Sequence, residues 1–115
     1  PFTDTELAEH LQVLEDSFWS HRRPPLHRRD RVREGQRIQG RTIEIFLMRP
    51  LFKKPGEWIE ESIAKLECTV SKGSWHLFCK RGNGRWTRYQ PFPDAPSLAE
   101  ALRVIDEDAR GFFFG

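Results

Sequence analysis

The chain has 115 residues, room for one ordinary domain and too few for two. Nine Phe, four Trp and one Tyr bring a large burial term against a charged fraction of 31%, which excludes disorder throughout, and no apolar run approaches the roughly 20 residues of a membrane helix. The net charge of +2 conceals three blocks: residues 1–21 hold five acidic residues and no Lys or Arg, residues 22–54 hold eleven basic against three acidic, and residues 55–115 hold eight basic against nine acidic.

Thr3-Asp4-Thr5-Glu6 has capping-box spacing and predicts a helix from there to His21. Leu7, Leu11, Leu14 and Phe18 form its apolar stripe, and Pro24-Pro25 end it. Residues 22–35 read as an extended basic connector, because a residue before proline is driven to extended geometry. Residues 36–90 read as an antiparallel sheet. Its first two strands turn at Gln39-Gly40, with Ile43, Ile45 and Leu47 on one face of the second. A third strand covers about Ile59 to Val70 with Ala64, Leu66, Cys68 and Val70 on one face. Lys72-Gly73 is read as a two-residue turn into a fourth strand, Trp75 to Lys80. Gly82-Asn83-Gly84 leads into a fifth, Arg85 to Gln90, and Pro91, Pro93 and Pro96 end the sheet region. Ser97-Leu98-Ala99-Glu100 is a second capping box opening a helix within 97–110, and 111–115 is an apolar tail that must dock on this subunit or a neighbour. Helix, antiparallel meander of four to five strands, helix: the fold class is α+β in a single domain, 1–115. Two open sheet edges make a homodimer the expectation.

Fourteen of the nineteen basic residues are Arg, which forks onto phosphate and stacks on flat rings. Arg22, Arg23, Arg28, Arg29, Arg31 and Arg33 would track a phosphate backbone. With a three-residue loop at Gly82–Gly84, Arg81 pairs with Arg85, and His76, Phe78, Lys80, Trp86 and Arg88 share a face. Phe78 and Trp86 would stack bases while Lys80, Arg85 and Arg88 meet phosphates. The competing reading packs that face under a helix or a second subunit and pairs the arginines with the acidic helix.

Other constellations carry less. Under the two-residue turn Cys68 and Cys79 sit diagonally, too far apart for an easy disulfide, and read as two small buried apolar residues. His76 and Cys79 point to opposite faces, so no metal site is expected. His10, His21 and His27 read as solvated or phosphate-facing, lacking a positioned partner for acid–base work. Asp106 and Asp108 read as anchors for a connector arginine and for the tail. No nucleophile elbow or phosphate-binding glycine loop is present. The chain is therefore expected to be non-enzymatic and without a cofactor.

Arg22-Arg23-Pro24-Pro25, Arg37-Ile38-x-Gly40, Ile43-Glu44-Ile45-Phe46-x-x-Arg49-Pro50, Ala64-Lys65, Trp75-x-Leu77-Phe78, Trp86 with Tyr89-x-Pro91, Asp106-x-Asp108 and Phe113-Phe114-Gly115 follow one another along nearly the whole chain. In that order they resemble a bacterial family defined only as domain of unknown function 3024. The resemblance implies a small soluble bacterial protein of one domain and brings no activity, substrate or catalytic residue with it.

Pro1-Phe2-Thr3-Asp4 has neither basic flank nor apolar core, so no secretory leader is expected there. Two cysteines are too few for a disulfide scaffold, so a cytoplasmic location is expected, without membrane association. The leading expectation is a nucleic-acid-binding protein, DNA or RNA, acting through the residues named above. The alternative is a protein-interaction module that homodimerises through Phe112, Phe113 and Phe114, its arginines taking an acidic protein partner.

Overall fold

The computed structural model describes residues 1–115. Thr3 caps α1 (Asp4–Leu14): its hydroxyl accepts from the Glu6 amide at 3.1 Å, and the Glu6 carboxylate accepts from the Thr3 amide at 2.9 Å. Two of the amides left orphaned at a helix start are thereby satisfied. The helix runs on through a π turn (Glu15–Trp19) into α2 (Ser20–Arg22), one residue beyond the expected end. A π turn carries one residue more than an α turn, so Trp19 is buried beside Phe18. The expected stripe holds at Leu14 and Phe18, whereas Leu11 remains 40% exposed.

After a short 3-10 turn (Leu26–Arg28) the sheet begins at Arg33, three residues earlier than expected. Its strands are β1 (Arg33–Gln39), β2 (Thr42–Pro50), β3 (Trp58–Cys68), β4 (Trp75–Lys80) and β5 (Trp86–Arg88), antiparallel and in sequence order. A sixth, β6 (Asp94–Ala95), pairs with β4, so the sheet continues past the prolines expected to end it.

Two turns differ from expectation. Gln39 pairs with Thr42, which places the first turn at Gly40-Arg41, one residue later. Between β3 and β4 Cys68 pairs with Trp75 and Leu66 with Leu77, two residues off the register of a Lys72-Gly73 turn. The loop is longer because Thr69 closes it: the Thr69 amide donates to the Ser74 carbonyl at 2.8 Å, and the Ser74 amide donates to the Thr69 hydroxyl at 3.2 Å. Val70 consequently lies in the loop, exposed, rather than on a strand face. Cys68 and Cys79 are buried, unbridged, and farther apart along the strands than expected.

The third turn follows expectation. Arg81 donates its amide to the Arg85 carbonyl at 2.9 Å, and Gly84, at φ +80, supplies the left-handed residue of a three-residue loop. That geometry sets Lys80 opposite Trp86 and Phe78 opposite Arg88. In β3 a bulge follows the Ile45–Ala64 pair, so Phe46 meets Ser62, and Ile63 and Ala64 are both buried.

Alternation divides the sheet into two faces. Ile43, Ile45, Ala64, Leu66, Trp75, Leu77 and Cys79 form one core with Leu14, Phe18, Trp19 and the buried side of α3 (Leu98–Glu107). Ser97 caps α3 by accepting from the Glu100 amide at 3.2 Å. The reciprocal half of the expected capping box is missing, because the Glu100 carboxylate binds Arg103 instead. Asp108 ends α3 in the left-handed region, at φ 46. Its carboxylate accepts from the amides of Phe113 at 3.0 Å and Phe114 at 2.8 Å. Phe113 is buried against Tyr89, and Phe114 stacks on Phe18. Burial pushes the Tyr89 phenol above its ordinary pKa. The tail therefore docks on its own chain, and of the three phenylalanines only Phe112 stays exposed. No helix is long and apolar enough to cross a membrane.

Candidate nucleic-acid interface

Strand alternation sends Phe46, Trp58, Lys65, His76, Phe78, Lys80, Trp86 and Arg88 to the sheet face opposite the helices. Each aromatic ring there has a cation above it. Lys65 Nζ lies 4.6 Å from the Phe78 centroid and 5.5 Å from that of Trp86. Lys80 Nζ lies 5.2 Å from Trp86, and the Arg88 guanidinium 5.7 Å from Phe78. Farther along, Arg37 covers Phe46 and Arg33 covers Trp58 at 4.4 Å. Such pairs form because ring faces carry negative potential.

The cations on this face differ in what else they touch. Arg88 donates to the Asp94 carboxylate at 2.6 Å and to the Pro93 carbonyl at 3.1 Å, and Asp94 also meets His76 Nδ1. Arg37 is held between Glu44 and Glu60, which raise its pKa, Glu60 most. Lys65 and Lys80 form no salt bridge; Arg81 and Arg85 at the turn form none either, but alternation turns them away from Lys80 and Trp86, and the Arg81 guanidinium lies 5.6 Å from Phe112. Lys80 has only the Ser62 hydroxyl, at 3.4 Å. On β3–β5 the charge still able to meet an incoming anion therefore rests with Lys65 and Lys80.

The connector contrasts with it. Arg22 donates to the Asp106 carboxylate at 2.6 Å and to its carbonyl at 2.8 Å, and its guanidinium lies 4.0 Å from the Phe114 centroid. Burial alone would push the Asp106 carboxyl up, but hydrogen bonds from Arg22 and His21 outweigh it and hold the pKa below the usual carboxylate range. Arg23 bridges Glu15 and Glu34, and Arg29 adds a second bond to Glu34. Burial likewise opposes Glu34 ionisation, and the two arginines reverse it. Arg33 donates to the Arg29 carbonyl at 2.8 Å. Arg28, Arg31 and Arg33 remain exposed without a carboxylate partner. The continuous run of six phosphate-facing arginines expected from the sequence is thus broken, because Glu15, Glu34 and Asp106 arrive from three other elements.

The histidines also differ from expectation. His10 is wedged between Phe2 and Trp75 at 4.5 and 5.1 Å, where burial lowers its pKa. His21 Nε2 lies 3.0 Å from Asp106. His27 is exposed and forms no salt bridge. Asp106 and Asp108 anchor a connector arginine and the tail, as expected.

Sequence reasoning missed Lys65. It is the outward residue between buried Ala64 and Leu66, so alternation alone places it on the outer face. A two-residue turn at Lys72-Gly73 would have set it against Lys80, a like charge; the longer loop sets it against Phe78.

Fold and face together define a small α+β meander with one sheet surface buried under helices and the other left open, lined by cation-capped rings. The chain belongs to the family described as Domain of unknown function (DUF3024), whose model matches residues 3–115. No curated protein and no solved structure matches the chain.

Proposed function

We propose that this protein binds single-stranded nucleic acid, RNA or DNA, across the helix-free face of its sheet. The observation that carries this reading is the group Lys65, Phe78, Lys80 and Trp86, rings interleaved with ammonium groups that form no salt bridge. Bases of an unpaired strand stack on such rings or on the cations above them, while phosphates meet Lys65 and Lys80 on the face and reach Arg81 and Arg85 at the turn beside it. A duplex hides its ring faces and gains nothing from a flat platform. Affinity would come from counterion release and stacking, without sequence readout, because few hydrogen-bonding side chains stand free on this face.

Titration of a labelled single-stranded oligonucleotide, followed by anisotropy over a salt series, tests the reading. Four phosphate-facing cations predict a log–log salt slope of about −3. Duplex of the same length should bind at least roughly tenfold more weakly, as stacking is worth about 1–3 kcal/mol per base. No binding at low salt overturns the proposal. Equal competition by polyglutamate would transfer the face to an acidic protein partner.

A further inference from the structure

The sheet has two unequal edges. β5 and β6 are three and two residues long, whereas β1 presents seven residues with no strand on the side away from β2. The pairing pattern tells which of its backbone groups are open. Cys68 donates its amide to the Arg41 carbonyl at 2.9 Å, so odd-numbered residues of β2 bond to β3 and even-numbered ones to β1. Each even residue of β2 faces an odd residue of β1. The amides and carbonyls of Glu34, Gln36 and Ile38 therefore point to the open edge, where none has a backbone partner in the chain. Beside this edge runs a groove with a cavity of about 300 Å³, lined by Leu11, Glu15, Trp19, Arg23 and Arg29 as well as residues 34–36.

We propose that a second copy of this chain pairs here, β1 against β1 around a two-fold axis at Gln36. That register sets Gln36 opposite the partner's Gln36 and Glu34 opposite the partner's Ile38, with matching faces on the same side. All six outward-pointing groups then find a mate, giving six hydrogen bonds. Centring on Gly35 instead would set Arg33 against the partner's Arg37, two like charges, and would pair only Glu34 and Gln36 among the open residues of the strand, for four hydrogen bonds rather than six. In the Gln36 register Gly35 stands opposite the partner's Arg37. The Phe46 ring fills the space over Gly35, where a Cβ would meet its Cε2 at 2.2 Å, so Gly35 sets no side chain of its own against the partner's Arg37. The result is a ten-stranded sheet across β1–β5 of both copies, with the two helix-free faces continuous. An unpaired seven-residue edge is an aggregation hazard, and self-pairing removes it.

Sedimentation without nucleic acid tests this independently of the binding proposal. The full chain should sediment with the mass of two copies in the micromolar range, and Gln36→Pro, which removes the central donor, should weaken the dimer at least roughly tenfold. Because that proline also displaces the Trp19–Gln36 hydrogen bond, a second variant reads the register directly. Gln36→Cys should give a disulfide-linked dimer under mild oxidation, since paired Cα atoms lie ~5.5 Å apart, while Arg37→Cys should not. A one-chain mass throughout the micromolar range overturns the proposal, as does a dimer that Gln36→Pro leaves intact and Gln36→Cys fails to cross-link.

Discussion

The connector arginines and the cations of β3–β5 are chemically alike and differently placed. Arg22, Arg23 and Arg29 reach carboxylates brought by α3, by the π turn and by β1, so their charge is used in joining those elements. Lys65 and Lys80 stand on a sheet face where their nearest partners are rings. A ring attracts a cation without cancelling its charge, whereas a carboxylate cancels it at short range. One basic region consequently acts as a structural clasp, and the other keeps its positive potential.

The largest expected effect tests the open face. Lys65→Ala with Lys80→Ala should lower single-strand affinity at least about 30-fold at low salt and flatten the salt slope by about 1.4, as two phosphate contacts are lost. Trp86→Ala should cost roughly 10- to 100-fold, the value of one stacked base, with the slope unchanged. If Arg22→Ala reduced affinity as much as either, the division between the two regions would collapse.

Stability comes next. Asp106→Ala leaves Arg22 and His21 without their acceptor and should cost about 2 kcal/mol in urea unfolding, with oligonucleotide affinity unchanged. Asp106, Glu34 and Glu15 all ionise below the usual carboxylate range. A depressed folded pKa adds stability that is present above the unfolded value, about 4, and is lost as pH falls through the folded one. The urea midpoint should therefore drop below about pH 4, and Asp106→Ala should shallow that drop.

Gly35→Ala should cost roughly 1–3 kcal/mol, because its methyl group displaces the Phe46 ring. The smallest effect is expected from Arg28→Ala with Arg31→Ala, less than about threefold in affinity. A slope change above one would extend the nucleic-acid path to connector arginines that carboxylates leave free.

Local signals carried the elements whose causes are local. The Thr3 capping box, the Ser97 cap and the Gly82–Gly84 loop each rest on a few neighbouring residues, and from that last loop followed the grouping of Phe78, Lys80, Trp86 and Arg88 on one face. The β3–β4 register was less legible, since Thr69 and Ser74 close their loop by side-chain bonds that outcompete the Lys72-Gly73 turn. Lys65 was missed for the same reason.

From the order of residues alone came the resemblance to the family, carried by its motifs, together with the α+β class, the alternating faces and the surplus of arginine, which are properties of composition, period and short-range capping. Which arginines keep their charge available was decided only in three dimensions. Asp106 lies 84 positions from Arg22 along the chain, and a hydrogen bond across that separation exists only once α3 has packed against the first helix.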